Sequence, residues 1–181
     1  MMNGKTETKT GNRAVPGIIY TFITSIKLIF FNERVLIRVF LDKRLTYNLI
    51  TIFIIMFALP FKTFSSGEII FMTPGKMVES ILITLIFISV LYVLIPKKKM
   101  PFVAFFRLFL AFEVVDVFAV ATLFMEKNTL MVYTAIILGW YLSLAVVAVS
   151  KLCKLEYPIS FGYVFFAFIF ANFVPVLFSG Y

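Results

Sequence analysis

FRLFLAFEVVDVFAVATLF, residues 106–124, is apolar enough to cross a membrane, yet it holds Glu113 and Asp116 near its middle. Counted from Pro101 at about 1.5 Å per residue, Glu113 falls ~18 Å along a helix and Asp116 ~22 Å. Both are too deep for short side chains to reach a headgroup. Their i, i+3 spacing puts them on one face. A charge at the bilayer centre costs at least ~2.5–3.5 kcal/mol on insertion scales. The two acids must therefore face protein, face a water-filled cavity, or be protonated.

The rest of the chain supports lipid as its solvent. Of 181 residues, 62% are hydrophobic and 14% charged, against about 25% charged in soluble domains. Mean hydropathy is +1.03. Such a chain cannot cover a water-facing surface with polar groups. Five apolar runs, at 45–61, 77–95, 101–125, 129–150 and 158–178, each reach roughly the 17–25 residues of a spanning helix. Thr73-Pro74-Gly75 reads as a turn ahead of the second run. Pro101 suits the first turn of the third, and Asn128 or Thr129 the N-cap of the fourth. The connections read as short and polar. The expected fold is all-α: a polytopic membrane bundle of five transmembrane helices.

Ahead of the bundle lie two different segments. Residues 1–16 are polar and aperiodic and read as a disordered cytoplasmic arm. Residues 17–44 are amphipathic, with Ile19, Phe22, Ile23, Ile26, Ile29 and Phe30 toward one side. Thr21, Thr24, Ser25, Lys27, Arg34 and Arg38 lie toward the other. The segment is too short in uncharged length to span, so it reads as helix lying in the membrane interface or packed on the bundle. The five-helix domain then occupies residues 45–181.

Net charge is +8, and its distribution orients the chain. Thirteen Lys and Arg fall before the first run and in the second-to-third and fourth-to-fifth connections, against three on the opposite side. The positive-inside rule then puts the N-terminus in the cytoplasm and Tyr181 outside, across the cell's inner membrane. Lys27, Arg34, Arg38, Lys43, Arg44, Lys97, Lys98 and Lys99 are candidates for contact with anionic lipid headgroups. This clustering beside apolar runs gives no reason to invoke nucleic acid.

Several chemistries are excluded. Histidine is absent, which removes histidine metal sites, bis-histidine haem ligation and Ser-His or Cys-His catalysis. Cys153 is the sole cysteine, so no intrachain disulfide forms. No phosphate-binding glycine loop, zinc-ligand spacing or nucleophile elbow is present. No cofactor is implied and no enzyme is indicated.

The candidate intramembrane polar site comprises Glu113, Asp116, Arg107, Asn48 and Asn172, with Tyr141 and Ser143 as further hydrogen-bonding partners. Arg107 reads as an interface anchor that snorkels to headgroups. Three roles stay open for the acids: neutral interhelical bonding, a path for protons or cations, and pairing with a basic residue of another subunit. Ala135, Gly139 and Ser143, spaced by four, form a small-residue stripe for helix packing, within the bundle or against another chain. Trp140 lies mid-span, which predicts burial in the bundle.

The run ILGWYLSLAVVAVSKLCKLEYPISFGYVFFAFIFANFVPVLF, residues 137–178, passes from one span through a short basic loop into an apolar last helix. With a basic amphipathic N-terminal segment and five spans, this organisation resembles the Yip domain family. The acidic-tyrosine-glycine-proline motif of the eukaryotic trafficking members is missing. The resemblance therefore implies a bacterial Yip-like inner-membrane protein. The leading functional expectation is a non-catalytic scaffold or modulatory subunit of a larger membrane assembly, with a membrane-protein partner or a second copy of itself. The alternative is a small transporter or proton/cation permeation component that uses Glu113 and Asp116. A lipid-directed enzyme comes third.

Overall fold

The computed structural model describes residues 16–65, 68–71, 73–96 and 100–178. The N-terminal arm through residue 15, Lys97, Lys98, Lys99 and Tyr181 lie outside the described residues. The chain is mostly helical. In order it forms α1 (Ile18–Ile29), α2 (Glu33–Leu41), a 3₁₀ turn (Lys43–Leu45) and α3 (Thr46–Ala58). A hairpin of β1 (Lys62–Ser65) and β2 (Glu68–Phe71) follows, then α4 (Pro74–Leu94) and α5 (Phe102–Phe112). A 3₁₀ segment (Glu113–Phe124), α6 (Lys127–Cys153) and α7 (Tyr157–Phe178) complete it.

Two helices, α4 and α6, are long and apolar enough to cross a membrane. α4 starts where the turn signal predicts: Pro74 occupies the first turn and the Thr73 hydroxyl accepts from the Lys76 N–H. α6 begins at Lys127, ahead of the expected Asn128 or Thr129 cap, with Glu126 in the cap position and no side-chain cap bond. It ends at Lys154 in the left-handed conformation, φ 54°. The first predicted span is shorter than its apolar run. α3 has 13 residues, about 20 Å of helix, because the chain leaves it near Pro60 for the hairpin. That hairpin replaces a connection expected to be plain loop. Its strands pair Lys62 with Phe71 and Thr63 with Ile70. The aromatic and β-branched residues flanking Ser65-Ser66-Gly67 are its sequence signal.

The third predicted span divides in two. After eleven residues of α-helix, the chain winds more tightly as twelve residues of 3₁₀ helix beginning at Glu113. Runs of this kind are ordinarily about three or four residues long. Val114, Val115, Val117, Val120 and Thr122 crowd this segment with β-branched side chains, which lose rotamer freedom against a preceding α-turn. Tertiary bonds then fix it. The Tyr133 hydroxyl donates to Phe118 O at 3.0 Å, and the Thr122 hydroxyl donates to Ala119 O at 2.6 Å while accepting from Lys62 N at 2.9 Å.

The core is aromatic. Phe87, Phe105, Phe109 and Phe112 are buried between α4 and α5, and their rings meet edge-on or tilted, arrangements favoured by the ring quadrupole. α7 packs on α4 and α6 with a buried stripe of Ser160, Val164, Ala167 and Ala171. Large apolar residues point outward elsewhere: Ile19 is 72% exposed and Phe124 88%, with Val132, Ile136, Phe161, Phe166 and Phe173 also open. Exposed apolar side chains in this number suit hydrocarbon and would be an aggregation liability in water.

α1 is turned the same way. Its buried face carries Thr21, Thr24 and Ser25, while Ile18, Ile19 and Ile23 face out. The polar side, which the amphipathic reading leaves free to meet water, packs on the bundle instead. The cost is small, because the three hydroxyls donate to the carbonyls four residues back: Gly17, Tyr20 and Thr21. The Asn32 side chain caps α2 by accepting from Val35 N. Ion pairing of Glu33 with Lys151, 2.7 Å, links α2 to the end of α6.

Candidate functional site

A cavity of about 390 Å³ lies among the end of α3, the hairpin, α4, the 3₁₀ segment, α6 and α7. Its acidic wall is the start of the 3₁₀ segment, with Glu113 and Asp116 one turn apart. Glu113 is 4% exposed, and its Oε1 accepts a hydrogen bond from the Tyr141 hydroxyl of α6 at 2.8 Å. Asp116 is half-buried. Among the described residues neither acid forms an ion pair, and nothing donates a hydrogen bond to Asp116.

The other walls are of two kinds. Phe57, Phe61, Phe87 and Phe168 supply rings. Ser80, Thr84, Thr122, Tyr133, Thr134 and Asn172 supply hydroxyl and amide groups. Lys62 and Thr63 of β1 stand on the hairpin side. The Lys62 ammonium sits 5.8 Å from the centre of the Phe71 ring, within cation–π range. The hydroxyls of α4 went unnoticed in the sequence. Ser80 and Thr84 are four apart, so they share a helix face, and that spacing is the signal that could have found them.

The five residues of the predicted polar site separate. Glu113, Asp116 and Asn172 line the cavity; the Asn172 amide also donates to Phe168 O at 2.8 Å. Asn48 is elsewhere, donating to Pro16 O at 2.6 Å and Thr21 Oγ1 at 3.0 Å, where it fastens the start of α1 to α3. Arg107 is not a snorkelling anchor. It is 1% exposed, and its guanidinium donates to Val39 O at 3.3 Å and Phe40 O at 3.1 Å. A cation is favourable there, since the last carbonyls of α2 carry the negative end of its dipole. Six residues before Glu113, Arg107 stands on another helix face, and the fold uses that face.

The small stripe also points elsewhere than into the bundle. Ala135, Gly139 and Ser143 are all exposed, and nothing lies within 4 Å of a Cβ built on Gly139. Trp140, the next residue, is half-buried. Its indole N–H donates to Ile29 O at 2.8 Å, its ring stacks on Phe118 and meets Phe30 edge-on. It joins α1 to the 3₁₀ segment.

Of the proposed headgroup contacts, Lys27, Arg34, Arg38 and Lys43 are exposed, and Arg38 also donates to the Tyr20 hydroxyl at 3.3 Å. Arg44 is different: it is paired with Asp42 through Nε at 2.9 Å and a second nitrogen at 2.8 Å. The side-chain bonds from Arg44 hold the Asp42 carboxyl below its usual value, against the opposing effect of burial, and the nearby Arg107 charge acts in the same direction as Arg44. No protein-family model, curated protein or solved structure matches this chain.

Proposed function

We propose that this chain is a non-catalytic, multi-pass inner-membrane protein with five crossings, whose acidic cavity binds small cationic species and passes them across the bilayer. The observation that carries this reading is that Glu113 and Asp116 turn toward a cavity rather than toward a basic side chain. Intramembrane acids that face a water-filled cavity mark ion and substrate paths. Sequence alone favours a scaffold because it shows no second polar helix and no broken helix opposite the acids. The change from α to 3₁₀ winding at Glu113 is an irregularity in the acids' own segment, and irregular winding at membrane depth is tolerated where it lines a cavity.

The path needs a moving part. On the far side of the acids from the hairpin, Phe105, Phe109 and Phe112 close the bundle. The twelve-residue 3₁₀ segment is the natural element to move: rewound as α-helix it would shorten by about 6 Å, the difference between ~2.0 and ~1.5 Å of rise per residue. The loop charges orient the hairpin side outward, so the cavity would load from outside in the form described here. The exposed cations of α1 and α2 would hold the opposite, cytoplasmic face of the protein on anionic headgroups.

A scaffold role is the second reading. It is favoured by the outward Ala135–Gly139–Ser143 stripe, which leaves room for another helix. It also accords with the Yip-like organisation of residues 137–178, in which residues 154–156 join α6 to α7. One experiment separates the two. Vesicles loaded with a pH-sensitive dye and carrying the full-length protein should show potential-driven cation or proton flux. Glu113→Gln with Asp116→Asn should insert normally and lose that flux. Absence of flux in the parent protein, together with a stable partner recovered from native membranes that the double variant no longer retains, would move the scaffold to first place.

A further inference from the structure

We infer that the cavity selects an organic ammonium ion with a small apolar body, in preference to a metal cation or a proton alone. The inference rests on the permeation reading above and adds the class of solute. Its basis is the pairing of the two walls. Glu113 and Asp116 lie on one side, and the rings of Phe57, Phe87, Phe168 and Tyr141 on others. A hard cation such as Ca²⁺ takes about six to eight oxygen ligands around it; beside the oxygens of the acids and hydroxyls stand the rings of Phe57, Phe87 and Phe168, which give a metal ion no ligand and an apolar body a surface. A proton needs no room, whereas about 390 Å³ falls in the ~300–1,000 Å³ range of pockets for small organic ligands.

An ammonium head and an apolar body fit each wall separately. Ionised carboxylates are acceptors only, and N–H groups of a cation make their shortest and strongest partners. Ring faces attract the cation and cover the body. The acceptors are available: nothing among the described residues donates to Asp116. Tyr141, the hydroxyl bonded to Glu113, holds that carboxylate in place at 2.8 Å. The nearest lining cation, Lys62, is engaged with the Phe71 ring and forms no ion pair with either acid. A ligand cation would therefore meet acids that no basic side chain among the described residues pairs.

The test uses the full-length protein in lipid nanodiscs and three probes: phenethylammonium, the uncharged 2-phenylethanol, and Na⁺. Calorimetric titration, corrected with empty nanodiscs, should show saturable binding of the ammonium, no saturable binding of the alcohol, and no displacement of the ammonium by Na⁺ at equal concentration. Asp116→Asn and Glu113→Gln should each weaken ammonium binding by roughly ten- to a hundredfold, the scale of losing one charge-assisted bond. Asp116→Asn is the decisive variant, since that side chain makes no hydrogen bond whose loss would disturb folding. Equal binding of alcohol and ammonium, or ammonium binding unchanged by Asp116→Asn, would overturn the inference. If the ammonium fails to bind while dye-loaded vesicles still show flux that depends on the two acids, the solute class is wrong and the permeation reading survives. If binding and flux are both absent, the two fall together.

Discussion

The Tyr141–Glu113 hydrogen bond is one contact by which α6 holds the cavity's acidic wall, and its strength can be measured. The bond is 2.8 Å long and joins a carboxyl that is 4% exposed. A double-mutant cycle of Tyr141→Phe, Glu113→Leu and the pair isolates the term, because phenylalanine keeps the ring and removes only the hydroxyl, and leucine leaves no acceptor. If Glu113 is neutral, the coupling should lie near ~0.6 kcal/mol, the average for polar pairs between membrane helices. If Glu113 is ionised, it should reach about 1.5–3 kcal/mol, as for hydrogen bonds to charged groups. Unfolding in mixed micelles would supply the four stabilities. Each single variant should also lose part of the cavity's order, seen as a change in emission of Trp140, the sole tryptophan, whose ring stacks on Phe118 of the same wall. A coupling of zero within error, with Trp140 emission unchanged, would refute the arrangement of α6 against the 3₁₀ segment and with it the acidic cavity.

Three further outcomes are expected. Arg107→Met should destabilise the protein by about 1–3 kcal/mol, because it leaves buried carbonyls at Val39 and Phe40 without a donor; the check is thermal unfolding combined with proteolysis, which should become faster within α2. Gly139→Ala should stabilise the isolated monomer by about 0.5–1 kcal/mol, because open space surrounds the position and alanine is the better helix former inside α6; a loss in monomer stability would mean that another element covers this face. The third concerns pH. Asp42 is held below its usual value by Arg44, so its stabilising contribution is present above the ordinary aspartate value near 3.8 and is lost as pH falls through the lower folded value. The difference in stability between the parent and Asp42→Asn should accordingly be constant around neutral pH and shrink in strong acid, as read by unfolding at a series of pH values; a difference that vanishes already at mildly acidic pH would contradict the pairing.

The sequence by itself determined the helical class, the places of α4, α6 and α7, and the pair of acids worth asking about. These follow from local quantities: run length, composition, turn residues and i, i+3 spacing act within a few residues and survive any arrangement of the helices. It could not determine which way a polar face turns. In water an amphipathic helix points its hydroxyls outward, but in an apolar surround the preference reverses, and Thr21, Thr24 and Ser25 went inward with their hydroxyls bonded to their own helix. Nor could it tell Arg107 from an interface anchor, because the carbonyls that receive it belong to Val39 and Phe40, almost seventy residues away in the chain. Ala135, Gly139 and Ser143 show the same limit: spacing put them on one face, and only packing decided that the face was outside. The 3₁₀ winding from Glu113 lay between the two regimes. Its valines weaken the α-helix locally, but the tighter winding is fixed by Tyr133 of the following helix and by the Lys62 N–H bonded to Thr122, sixty residues away in the chain. The cavity that joins Glu113 and Asp116 to Asn172 and the rings of α3, α4 and α7 is a property of that assembly, since its walls come from six elements and no one of them contains it.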